Sequence, residues 1–96
     1  MIFRLTKKAE QDVIDLYVRG MAEFGVEQAE RYHGDLIAAF QLLADNPRIA
    51  RERVEFTPPV RLHRHAAHMI AYLIRDDEVL IVRVMSRRQD WERHLV

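Results

Sequence analysis

The apolar periodicity of this chain changes once, at Asn46-Pro47, and that change constrains the fold more than any other feature. Before it, Ala9, Val13, Leu16, Tyr17, Gly20, Met21 and Phe24 recur at three- and four-residue steps. At about 100° per residue they fall on one stripe, which predicts an amphipathic helix of about five turns. Thr6 suits its N-cap, since a hydroxyl there accepts an orphan backbone N–H. Gly25 suits a left-handed C-terminal cap. A second stripe follows at once in Ala29, Tyr32, His33, Leu36, Ile37, Phe40 and Leu43. Pro47 stops it, because proline cannot continue the ladder and disfavours helix at Asn46. Two helices joined by a few residues are antiparallel neighbours.

After Pro47 the period becomes two. Residues 48–60 form an irregular charged stretch ending in Pro58-Pro59. Val60 to His65 alternates, and His68 to Arg75 contains six consecutive apolar residues, as expected of a central strand covered on both faces. Asp76-Asp77 marks a turn. Glu78 to Met85 reads as a further strand, with Leu80, Val82 and Val84 expected on one face and Val79, Ile81, Arg83 and Met85 on the other. Ile2 to Leu5 adds a short strand at the start. The expected order is β-α-α-β-β-β, with the last three strands paired as a meander. A helical hairpin must bury its stripe, and the sheet is the surface available to it. The expectation is a two-layer α+β fold, the hairpin packed on an antiparallel sheet. With 96 residues, one domain spanning 1–96 is expected.

Composition removes several functional classes. Fifteen Lys and Arg balance fifteen Asp and Glu, so affinity from summed positive charge, as in a nucleic-acid coat, is not available. The balance is a cancellation. Residues 1–47 hold five basic and eight acidic residues, whereas 48–96 hold ten arginines and seven acids. Thirteen of the fifteen cations are arginine, whose planar fork suits carboxylate and phosphate partners. This bias reflects either genome composition or a second half that meets an acidic partner. The chain has no cysteine, which excludes a disulfide scaffold, a thiolate zinc site and a cysteine nucleophile. The N-terminal residues lack a signal-like apolar segment, and no apolar run approaches the ~20 residues of a bilayer span. A cytoplasmic protein with no membrane association is the expectation.

Few residues are suited to chemistry. The three glycines are scattered, so no phosphate-cradling loop exists, and Ser86 is the lone serine. His63 and His65 share a strand face and His68 follows, but solvent-facing strand residues explain them better than a metal site; no metal or other cofactor is expected. Arg61, Arg83, His63 and His65 could together serve a metal-independent ribonuclease, which needs a base, an acid and cations around a phosphorane. The alternative is that Arg83 is a half-buried strand arginine paired to a carboxylate. In the tail, Arg87, Arg88, Trp91 and Arg93 combine the residue types that dominate binding hot spots, and so form a candidate docking surface. Ile14 and Val18 lie off the main stripe of the first helix and Met21 lies at its margin, which makes them candidates for a partner interface.

The residues also form a familiar series. Phe3-Arg4-Leu5-Thr6-x-x-Ala9-Glu10-x-Asp12 opens the chain, and Phe24-Gly25-x-x-Gln28-Ala29-x-x-Tyr32 joins the helices. Leu43-Ala44-Asp45-Asn46-Pro47-x-Ile49, Val60-Arg61 and Ile70-x-Tyr72 follow. Ile81-Val82-Arg83-Val84 and Arg87-Arg88-x-Asp90 close it. In this order and spacing the chain resembles the ParE branch of the RelE/ParE toxin superfamily of bacterial toxin–antitoxin systems. The resemblance implies a toxin that inhibits DNA gyrase and is neutralised by a ParD-like antitoxin in a hetero-oligomer. DNA would then be met only through the antitoxin or gyrase. The off-stripe face of Ile14, Val18 and Met21, read independently of the family, is then the candidate antitoxin contact, and the tail residues Arg87, Arg88, Trp91 and Arg93 the candidate target contact. The RelE side of the superfamily implies the alternative, a ribosome-dependent mRNA endoribonuclease. Against it, Met85-Ser86 stands where many relatives carry His-Gly, and methionine cannot move a proton.

Overall fold

The computed structural model describes residues 1–86. Strand β1 (Phe3–Leu5) leads into helix α1 (Lys7–Phe24) and, after the single residue Gly25, helix α2 (Val26–Asp45). Then come the two-residue strand β2 (Glu52–Arg53), β3 (Val60–His65), β4 (His68–Arg75) and β5 (Glu78–Ser86). The five strands lie in the order β1-β5-β4-β3-β2, antiparallel except for β1, which runs parallel to β5.

Local chemistry sets the boundaries. The Thr6 hydroxyl accepts the Ala9 N–H at 3.0 Å and caps α1. Gly25 takes φ +91, a backbone region that side chains other than glycine rarely enter, and so turns α1 directly into α2. Gly20 lies against Ala29 and Tyr17 against His33, contacts that run in opposite directions along the two helices, so the pair is antiparallel. At the β4–β5 hairpin Asp76 and Asp77 both have positive φ, 52 and 61. This is the backbone sense that matches the twist of the flanking strands, and aspartate tolerates it better than most residues.

The core lies between the helices and one sheet face. Ala9 and Val13 from α1, Leu36, Phe40 and Leu43 from α2, and Ile70, Tyr72, Val79, Ile81 and Val84 from β4 and β5 are buried together. The central strand is β4, as its apolar run implies. The Tyr72 hydroxyl donates to the Pro47 carbonyl at 2.9 Å, which ties the start of the long loop to the sheet.

The structure departs from the sequence expectation in four places. Strand β2 lies in the charged stretch expected to be irregular; two residues carry no readable period. The sheet is mostly, not wholly, antiparallel, because β1 joins it at the β5 edge. Phe24 belongs to the predicted stripe but is 62% exposed, since α1 ends there. The faces of β5 also change partway along. Ala71 pairs with Arg83 while Tyr72 pairs with Ile81, so Val82 is an extra residue, a β-bulge. Strict alternation therefore fails, and Val79, Ile81 and Val84 all reach the core instead of Val84 facing away.

Candidate functional site

The bulge in β5 brings the first candidate residues together. A bulge leaves backbone groups without ladder partners, and unpaired buried groups are costly. Residues around the start of α1 supply those partners. The Thr6 N–H donates to the Ile81 carbonyl at 3.0 Å and its hydroxyl to the Val82 carbonyl at 2.7 Å. The Asp12 carboxylate accepts the Val84 N–H at 2.9 Å and two guanidinium bonds from Arg83, at 2.8 Å from Nε and 3.0 Å from Nη2. Both side chains of this pair are more than four-fifths covered. The hydrogen bond to Asp12 raises the Arg83 pKa above its ordinary range. Arg83 is thus the strand arginine paired to a carboxylate.

Arg61 is also engaged. Its Nη1 donates to the Ala50 carbonyl at 2.6 Å, and its Nη2 lies 3.9 Å from Glu52. The two arginines that could contact a phosphate therefore hold the loop and the bulge. Met85 is buried.

The histidines gather elsewhere. His63, His65 and His68 share the face that carries Ile70 and Tyr72, because His63 pairs with Ile70 and His65 with His68. Burial, and then the charge of His65, lowers the His63 pKa. Tyr32, from α2, reaches this group: its hydroxyl is 2.6 Å from His68 Nδ1, and its ring centroid is 5.7 Å from that of His65. Among the described residues, no group of three His, Asp or Glu side chains converges to hold a metal ion.

Beside this cluster an open, mostly apolar cleft of about 310 Å³ lies between the two helices and the β3–β4 turn. Val13, Leu16, Gly20, Phe24, Ala29 and Leu36 supply its apolar walls. Arg19, Glu23, Gln28, Tyr32, His33 and His68 supply its polar groups. Ile14 and Val18 are 53% and 54% exposed, and Met21 is half-buried. Their i, i+4, i+7 spacing makes them one stripe on α1. Arg87, Arg88, Trp91 and Arg93 lie outside the described residues.

The cleft was not readable from the sequence. Tyr32 sits on a helical stripe and His68 beyond a turn, and nothing in their spacing tells that α2 crosses the turn. The Asp12–Arg83 pair had a partial signal, an arginine on an otherwise apolar strand, but no indication of which acid meets it.

The arrangement recurs among known proteins. A chain of the structure titled "Chromosomal ParDE TA system from P. aeruginosa" superposes with a TM-score of 0.74 at 21% identity, over 90% of this chain and 95% of that one. That likeness defines the class, the two-layer α+β fold of ParE-like proteins. The profile of the family described as "ParE toxin of type II toxin-antitoxin system, parDE" matches residues 3–91. Toxin ParE1 of Mycobacterium tuberculosis (strain ATCC 25618 / H37Rv) is 30% identical over 94 residues, 97% of this chain and 96% of the relative. Toxin ParE1 of Caulobacter vibrioides is 26% identical over 93 residues, 97% of this chain and 96% of that protein. The chain belongs to the ParE toxin family of type II toxin–antitoxin systems. ParE toxins partner with ParD antitoxins in ParDE complexes. No helix among the described residues is long and apolar enough to cross a membrane.

Proposed function

We propose that this ParE toxin acts in the cytoplasm as one domain, inhibits DNA gyrase without chemistry of its own, and is neutralised by a ParD-like antitoxin. The observation that carries the non-catalytic reading is the engagement of its cations. Arg83 is held by Asp12 through two bonds, and Arg61 by the Ala50 carbonyl. A ribonuclease needs cations free to meet the phosphorane and a group that moves a proton. Met85, buried on β5, supplies neither. The antitoxin contacts proposed are Ile14, Val18 and Met21, with the cleft, which other residues of α1 line, as the seat of an apolar antitoxin segment. Exposed Ile14 and Val18 on one face of α1, and an apolar recess lined by other residues of the same helix, suit helix-in-groove recognition. The target contacts proposed are Arg87, Arg88, Trp91 and Arg93.

The test is purified toxin added to gyrase and supercoiled DNA. Gyrase activity falls and cleaved DNA complexes accumulate, and the cognate antitoxin reverses both. In induced cells the DNA-damage response rises while mRNA stays intact. Replacing Arg87 and Arg88 together by alanine lowers toxicity and leaves antitoxin binding largely unchanged. Site-specific mRNA breaks on translating ribosomes, with gyrase unaffected, overturn the proposal and point to the endoribonuclease.

A further inference from the structure

The outer lip of the cleft is the β3–β4 turn, His65-Ala66-Ala67-His68, and it is under strain. Ala66 has φ +51, a left-handed conformation that L-residues other than asparagine and aspartate rarely adopt. Ala66, Ala67 and His68 form one wall of the cleft. The tie between this wall and α2 is the 2.6 Å contact between the Tyr32 hydroxyl and His68 Nδ1.

That contact has one set of protonation states in which it is comfortable. Burial, and then the negative charge of Asp35, holds Tyr32 above its ordinary pKa, so the phenol keeps its proton and donates it. His68 Nδ1 must then be bare, with the ring proton on Nε2. The groups around His68 come from every neighbouring element. His65 faces it from β3, Ser86 from β5, Arg19 and Glu23 from α1, and Tyr32 and His33 from α2, with Asp35 behind Tyr32. Burial, then the charges of His65 and Arg19, pushes the His68 pKa down. A proton on Nδ1 removes the acceptor for the phenol. It also places a half-buried cation beside Arg19 and His65, whereas moving the turn outward returns that charge to water.

We propose that the Tyr32–His68 contact is a proton-sensitive latch that clamps the β3–β4 turn to α2 when His68 is neutral and releases it, opening the cleft, when His68 is protonated. The sign follows from the direction of the shift. A histidine with a depressed folded pKa contributes stability above its unfolded value, about 6.5, and loses it as pH falls through the folded value. The latch is closed in neutral solution and opens in mild acid. Its effect on neutralisation rests on the cleft being the antitoxin's seat; the latch itself does not.

The experiment is an NMR titration of the full-length toxin between about pH 7.5 and pH 5, the range in which imidazole changes charge. Imidazole signals and amide exchange are followed together. Protection of the 65–68 amides, corrected for the intrinsic pH dependence of exchange, falls by about tenfold as His68 titrates, the size of one ordinary hydrogen bond. The Asp76-Asp77 turn serves as the internal control and does not change. Tyr32→Phe gives low protection at the 65–68 turn at both ends of the range. The latch is overturned if His68 stays neutral throughout, if it titrates while the turn keeps its protection, or if Tyr32→Phe matches the wild type at both pH values. Antitoxin affinity measured over the same range then separates the two proposals. A turn that opens with no change in affinity upholds the latch and removes the cleft from the antitoxin interface.

Discussion

Helix α1 is anchored at its start and open at its end. Within its first turns, Thr6 and Asp12 make seven hydrogen bonds to the helix backbone and to β5, including both guanidinium bonds from Arg83. At its other end Arg19, Glu23 and Phe24 border the cleft, and Phe24 is largely exposed. The same helix thus serves two purposes. Its N-terminal turns supply the partners that the β5 bulge takes from the sheet ladder, which fixes α1 on the sheet. Its C-terminal turns, relieved of that duty, present an apolar surface. A binding face held on a firmly fixed element is recognised with less ordering cost than one on a mobile loop.

The comparison is broken most directly at Asp12. Asp12→Ala leaves the Arg83 guanidinium without its acid and the Val84 N–H without its acceptor. Removing one partner of such a covered pair costs about 3–5 kcal/mol. For a domain of this size each kcal/mol lowers the melting temperature by roughly 4–8 °C. Thermal unfolding followed by circular dichroism should therefore show a fall of well over ~10 °C. A loss below about 1 kcal/mol, the range of exposed pairs, removes the anchor from the argument.

A smaller effect is expected at Thr6. Thr6→Ala removes the cap on Ala9 and the bond to the Val82 carbonyl, and keeps the backbone bond to Ile81. Cap replacements cost about 0.5–2 kcal/mol, and the lost Val82 bond places Thr6→Ala in the upper half of that range. Urea unfolding measures it as a lower midpoint with an unchanged slope. A variant as stable as the wild type shows that water replaces the hydroxyl, and that Asp12 alone secures the bulge.

How far the sequence carried the fold follows from which residues act locally. Thr6, Gly25, Pro47 and Asp76-Asp77 act on their own backbones, so helix ends and the hairpin turn were readable, as were the two stripes and the central strand. The bulge at Val82 was not, because it is stabilised by Thr6 and Asp12, more than seventy residues away in the chain. The same limit applies to the site. Ile14 and Val18 were found as apolar residues on the wrong side of a helix, and they are exposed. The cleft and its Tyr32–His68 contact depend on how α2 crosses the β3–β4 turn, which no periodicity encodes. Arg61 was recognised as an arginine in a useful place, but its partner is a backbone carbonyl, and carbonyls leave no mark in a sequence.

The open end of the comparison is tested at Val18. This side chain is 54% exposed, and a substitution on such a surface changes stability by no more than about 0.5 kcal/mol. Val18→Asp should therefore melt with the wild type, in contrast to Asp12→Ala on the same helix. Its effect should fall on association. A carboxylate placed in the middle of an apolar contact is desolvated on binding without a partner, and an uncompensated group of that kind costs 2 kcal/mol or more, roughly thirtyfold in affinity. Calorimetric titration with the cognate antitoxin measures it directly, with the melting curve of the free toxin as the control. A weakened complex with an intact fold places Ile14, Val18 and Met21 under the antitoxin. Unchanged affinity removes that stripe from the interface and leaves the cleft as the face to examine by Gly20→Leu. There the added side chain would extend from a Cβ already 3.4 Å from Ala29 and fill the space between the helices.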